Sequence, residues 1–389
     1  MLRLESSRSS LLCLALVMSC SCTSASPAGD PESVDSAGVT DSGGSADSAG
    51  ATDAADSALD VPALDASDAL PSDAGAPDVA PDDSPSPDAP GSIDYGAPGP
   101  FTVTKNDATI GGNAVHLLVP SGATPHGAIA FAHGFQLGTK DYDALLGHLA
   151  SHGWVVVSTD FPGSLFSIDH RSVRDAILAA RTSLIAGTIA GVPKIDAARI
   201  AASGHSLGGK GAVMALLAEP AFAGAVTFDP VDGSPGPGGG TADAAHPKLV
   251  PTETATLHAP IAIFGATQSR CVAASPFPGG STACAPAGLD AAAFFGGTPT
   301  TIPRALWIVE DFGHMQFLDA SCGFVCSACV AGKSDVAPRR DVVAALAVAW
   351  LERHLAGVSS AQAYLDAKTA AATSAKLLWD GTSAQPACP

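Results

Sequence analysis

Basic residues are scarce in this chain of 389 residues: 19 Lys and Arg stand against 38 Asp and Glu. Between Thr23 and Gly96 there are none, beside 15 Asp and one Glu. From Ala97 onward 17 bases face 21 acids, so most of the formal charge of −19 belongs to the first hundred residues. The lack of a basic patch excludes a nucleic-acid-binding surface. Phe, Tyr and Trp are missing from Thr23 to Ser92, a stretch rich in Ser, Ala, Asp, Pro and Gly. Such a segment cannot bury enough apolar surface to offset its ordering entropy, and it reads as a disordered, self-repelling tether over residues 21–96. Its Asp-Ser-Ala pieces lack the glycine and spaced acid ligands of a calcium loop. No segment after the first twenty residues is long and apolar enough for a membrane helix.

What is present begins with an export signal. Arg3 and Arg8 precede a short apolar run, Leu11 to Met18, in residues 1–20. The run ends in Val17-Met18-Ser19-Cys20, which resembles a bacterial lipobox with Cys20 as the lipid-bearing residue. Cys22, or a plain signal peptide cleaved nearby, are the alternatives. On this reading a lipid anchor is the chain's only membrane contact. The body, residues 97–389, holds six cysteines: Cys271, Cys284, Cys322, Cys326, Cys329 and Cys388. An even number in an oxidising compartment predicts up to three disulfides, without specifying their pairing. Cys326 and Cys329 have the spacing of half a zinc site, but no second such pair or spaced histidine pair accompanies them.

The body alternates between two periods. Continuous apolar runs at Gly127–Ala132, Trp154–Thr159, Ile200–Ser203, Gly224–Phe228, Pro260–Gly265 and Ala305–Val309 predict strands covered on both faces. Val115–Val119 alternates into a further strand. Helical spacing marks 141–152, 172–186, 210–217 and 339–355. Strands alternating with helices predict an α/β fold, a mostly parallel central sheet with helices on both faces. Asp232–Leu257 and Arg270–Thr301 are Gly/Pro-rich and without periodicity, and long loops of this kind can wall a substrate cleft.

Gly204-His205-Ser206-Leu207-Gly208 sits between a strand and a small-residue helix, the context that makes a G-x-S-x-G pattern a nucleophile elbow. The elbow presents Ser206 as nucleophile and the Leu207 N–H as an oxyanion donor. His133-Gly134-Phe135, after the strand at 127–132, is where the second donor is expected, from the Phe135 N–H. His133 itself reads as a buried brace of that turn. A base must follow a strand's carboxyl end. His258 precedes its strand, His354 lies in a helix and His246 in an irregular loop, whereas His314 follows the last strand, with Gly313 giving its loop freedom to turn. Asp229 leaves the strand 224–228 directly and is favoured as the acid, with Asp232 three residues further as the alternative. Such a triad works through an acyl-enzyme and needs no metal or organic cofactor.

Five pieces carry a family resemblance: AHGF followed by HLASHGWVVVSTD; GHSLGGKG; TFDPVDG; DFGHMQFLD before a cysteine-rich stretch; and RRDVVAALAVAWLERHLAG. Over about Pro125–Gly357 the body resembles the chlorophyllase branch of the α/β-hydrolases, and its elbow is also similar to that of bacterial cutinases and polyester hydrolases. The resemblance implies Ser206, Asp229 and His314 as the triad. Leu207 stands where that branch carries arginine. The expected activity is that of an exported serine carboxylic-ester hydrolase acting on a small acyl ester, a lipid or a polyester. An inactive hydrolase-fold binding module and a serine peptidase or amidase are the alternatives.

Overall fold

The computed structural model describes residues 93–389 apart from 123, 164–167, 234–240, 274–282, 320–325, 333–334, 382–387 and 389. The expected export signal with Cys20, nearly all of the expected tether, and Cys322 lie outside the described residues.

The apolar runs and one further strand form an eight-stranded sheet. Its strands are β1 (Val103–Ile110), β2 (Asn113–Pro120), β3 (Gly127–Ala132), β4 (Trp154–Thr159), β5 (Ile200–His205), β6 (Gly224–Phe228), β7 (Ile261–Ala266) and β8 (Arg304–Val309), in the order β1-β2-β4-β3-β5-β6-β7-β8. β2 runs antiparallel to β1 and β4, and the other pairings are parallel. β3 to β7 are buried along their whole length, which is why their sequences are continuously apolar. Alternate residues still serve different faces. Ala128, Ala130 and Ala132 join the apolar cluster under α2 (His170–Ala186) and α3 (Leu207–Ala218), while Ile129 and Phe131 join the one under α1 (Asp143–Ser151) and α5 (Ala337–His354). The fold is thus the expected α/β-hydrolase architecture.

Three elements have no counterpart in the periodicity. β1 is an edge strand with only Ile110 fully buried, so its sequence VTKNDATI is mostly polar. α4 (Ala291–Gly297) is a seven-residue helix inside a segment that reads as loop, and α6 (Ala361–Ser374) is alanine-rich with three buried positions. Packing also starts before Ala97. Tyr95 is buried and meets the Tyr364 ring edge-on at 4.9 Å, and the His148 and His152 rings lie against the Tyr95 and Ala97 carbonyls. Two disulfides join Cys271 to Cys388 and Cys284 to Cys329, and Cys326 is disulfide-bonded as well. Both cysteines of the C-x-x-C pair are therefore sulfur-bonded, Cys329 across 45 residues rather than to its neighbour.

Candidate active site

β5 passes into α3 through a single residue. Ser206 adopts φ 57°, ψ −120°, a strained conformation for a residue with a side chain. The surroundings enforce it. A Cβ on Gly204 would strike the backbone of Gly208, and one on Gly208 would strike the carbonyls of Ala132 and His133. The elbow is clamped further by Ser206 N–H donating to the Phe228 carbonyl over 3.0 Å.

His314 opens a short 3-10 turn, His314–Phe317, after β8. Its Nε2 lies 2.9 Å from Ser206 Oγ, and its Nδ1 lies 2.7 Å from Asp229 Oδ2. With Asp229 ionised, Nδ1–H donates to the carboxylate, and Nε2 is free to accept from the serine hydroxyl. All three side chains are buried, and Ser206 keeps 8 % of its surface exposed. Gly313 has an extended φ of −106°, so left-handed freedom is not its reason for being glycine. Segment 330–331 packs against it instead: a Cβ would sit 2.9 Å from Ala331 Cα. Gln316 Oε1 pins that approach by accepting from Gly313 N–H and Gly332 N–H, at 2.6 and 2.8 Å.

The two aspartates of the FDPVDG turn part company. Asp229, at φ 44° on the end of β6, faces His314. Asp232 turns away and is fully buried, with Oδ1 3.0 Å from Lys210 Nζ and its carboxylate accepting from the N–H groups of Leu249 and Val250. Burial lowers the Lys210 ammonium from its ordinary range, and the carboxylate opposes that shift. Lys210 also donates to the Gly233 carbonyl over 3.0 Å. This pair ties the first turn of α3 to the loop that follows β6.

The other histidines that follow α3 lie elsewhere. His246 sits beside Asp243, His258 beside the Pro220 carbonyl, and the His354 ring 4.0 Å from Trp350. His133 is buried, reaches Asp160 Oδ1 over 3.0 Å and stacks on Phe161 at 4.3 Å. That contact with His133 holds the Asp160 carboxyl below its ordinary range. The backbone of Gly134 presses against the elbow, so that a Cβ there would lie 3.2 Å from Ser206 Cβ. Phe135 is the next residue and is half-buried. Leu207 is the first residue of α3, where an N–H has no partner within its own helix. Among the described residues no group of acids, His or Cys could hold a metal ion.

Sequence reasoning missed Ser269. Its hydroxyl donates to Asp229 Oδ2, beside the His314 contact. It stands in the 3-10 turn Thr267–Arg270 directly after β7, a strand end that offers no carboxylate. A serine there carries no motif, and only its place at the strand's end could have drawn attention to it. The pairing of Lys210 with Asp232, and a contact from Tyr142 to His205, were equally illegible.

A mostly parallel sheet in this order, with a serine on a strand–turn–helix elbow, defines an α/β-hydrolase. The family model described as Chlorophyllase matches residues 97–377, and the chain belongs to that family. It is 27% identical to chlorophyllase-1, chloroplastic, of Citrus sinensis, over 61% of this chain and 70% of the relative. Identity to chlorophyllase-1 of Arabidopsis thaliana is 26%, over 72% of this chain and 87% of the relative. It is 33% to cutinase est2 of Thermobifida alba, over 34% of this chain and 45% of the relative. Family and fold together make this an ester hydrolase of the α/β-hydrolase type.

Proposed function

We propose that the protein is a serine carboxylic-ester hydrolase that works through an acyl-enzyme outside the cytoplasm. The observation that carries the reading is the bridging position of His314, 2.9 Å from Ser206 Oγ and 2.7 Å from Asp229 Oδ2. Ser206 Oγ attacks the ester carbonyl as His314 Nε2 takes its proton. The carbonyl oxygen gains charge, which the N–H groups of Leu207 and Phe135 stabilise. The imidazolium returns the proton to the leaving alcohol, and water, activated by the same imidazole, releases the acid. Asp229 keeps Nδ1 protonated and stabilises the imidazolium. The names of the relatives, chlorophyllase and cutinase, fit a carboxylic ester as substrate class: a small acyl ester, a lipid or a polyester. The disulfides fit an oxidising compartment, as does the expected export signal. Anchoring through a lipid on Cys20 belongs to this proposal.

The test is hydrolysis of p-nitrophenyl esters of increasing acyl length, beside Ser206→Ala and after fluorophosphonate treatment. Activity lost in both controls is the expected result. An inactive protein whose Ser206 takes no label would sink the reading. For the anchor, mass spectrometry of the mature protein should find a lipidated N-terminal cysteine, and an unmodified N-terminus would remove it.

A further inference from the structure

Tyr142 and His205 are fully buried beside the site and do nothing in the chemistry above. Tyr142 immediately precedes α1 and points its hydroxyl at the turn after β3, where Gly134 N–H donates to it over 3.1 Å. The same hydroxyl lies 2.9 Å from His205 Nδ1. His205 Nε2 lies 2.9 Å from the main-chain carbonyl oxygen of His314. A carbonyl can only accept, so Nε2 carries a proton. Burial pushes the His205 imidazole well below its ordinary range and keeps it neutral. Nδ1 therefore carries none and accepts from the tyrosine hydroxyl. Every proton on the path then has one position: Gly134 N–H donates to Tyr142 Oη, Tyr142 Oη–H donates to His205 Nδ1, and His205 Nε2–H donates to the His314 carbonyl.

We propose that Tyr142 and His205 are positioning residues that fix the main chain of His314 and the Gly134–Phe135 turn against one another, so that one hydrogen-bonded path sets both the base and an oxyanion donor. The inference rests on the reading of Ser206, His314 and Phe135 given above. The path joins three strand ends: the turn after β3, the last residue of β5, and the loop after β8. His205 adjoins Ser206 in sequence, so the path is anchored on the elbow itself. The two imidazole rings lie 4.6 Å apart, and the titratable neighbours of His205 are Tyr142, His314 and His133. Without the His205 bond the His314 carbonyl is free to shift, and the imidazole shifts with it. Misplacing a catalytic group by about 1 Å costs roughly 100-fold in rate.

The experiment uses full-length protein. In active wild type, Tyr142→Phe is expected to lower kcat roughly 10- to 100-fold, with KM changed by less than about threefold. Fluorophosphonate labelling of Ser206 should slow in the same proportion. His205→Gln, which keeps a donor near the Nε2 position, should retain more turnover than His205→Leu. Wild-type kcat in Tyr142→Phe, or equal losses in the two His205 variants, overturns the inference. If the variants do not fold, nitrogen NMR of the wild-type histidines decides. A neutral Nε2–H tautomer at His205 that does not titrate between about pH 5 and 8 supports the path, and a charged ring or an Nδ1–H tautomer overturns it. A wild-type protein that is inactive and unlabelled at Ser206 counts against the triad reading, and the NMR tautomer still reports on the path.

Discussion

The strand ends after β5 and β6 and the loops after β7 and β8 meet at one site, but they are held by different means. Ser206 and Asp229 sit at positive φ on the ends of two neighbouring, fully buried strands. Their backbones are locked by main-chain bonds, Ser206 N–H to Phe228 and Asp229 N–H to Phe264 at 3.0 and 2.7 Å. His314 and Ser269 lie in loops instead. The Cys284–Cys329 disulfide ties the two loops together, Gln316 braces the His314 turn, and Ala285 N–H donates to the Ser269 carbonyl over 2.9 Å. Sheet packing therefore positions Ser206 and Asp229, while side-chain bonds and covalent ties position His314. Where the sheet runs out, the chain compensates with specific cross-links.

The largest expected effect separates the two aspartates. Asp229→Asn should leave the protein folded and lower kcat roughly 10⁴-fold, because the imidazole loses its tautomer and orientation. Asp232→Ala should act on stability, costing about 3 to 5 kcal/mol by removing the carboxylate that balances the buried Lys210 ammonium. Ester turnover and urea midpoints on both variants check this, and a stable but inactive Asp232 variant would exchange their roles. Reduction attacks the loop side alone. The Cys271–Cys388 and Cys284–Cys329 disulfides close loops of 117 and 45 residues, and each should contribute about 2 to 5 kcal/mol. A urea midpoint that does not fall with a reductant present would show that the loops stand without their covalent ties.

Ser269→Ala is a finer cut. It removes one hydrogen bond to a carboxylate, so kcat/KM should fall by roughly 10- to 100-fold with little loss of fold. An unchanged rate would mean that the acid is held by β6 alone. The smallest effect concerns pH. Burial lowers His354 from 6.5 to about 4 and moves His152 in the same direction. These rings stay neutral in the fold and take up protons on unfolding below about pH 6.5. Their contribution is therefore intact above that value and is lost as pH falls towards about 4. His126 opposes them, because its hydrogen bond to Glu352 raises its own range. Urea midpoints between these pH values should decline less steeply in His354→Gln. An identical slope would remove His354 from the account.

Legibility followed locality. β3, β4 and β6 have the bounds that their apolar runs predict, because a strand covered on both faces writes its burial into every residue. β1 was hidden because an edge strand needs only occasional burial, and α6 because alanine carries little amphipathic contrast. The elbow was readable because its glycines are demanded by contacts within a few residues and with the adjacent strand.

By itself, then, the sequence determined the alternation of strands and helices, the elbow with Ser206, and the short roster of acids and histidines at strand ends that includes Asp229 and His314. These follow from periodicity and from steric demands that act over a handful of residues. Only the tertiary structure decided that Asp232 pairs with Lys210, that Ser269 supports Asp229, that Tyr142 reaches His205, and which cysteines join. Each of those pairings bridges separate elements, across as many as 117 residues for Cys271 and Cys388, and depends on how strand ends converge across the sheet. No local pattern encodes that convergence, because it arises from the packing of elements that are far apart in the chain.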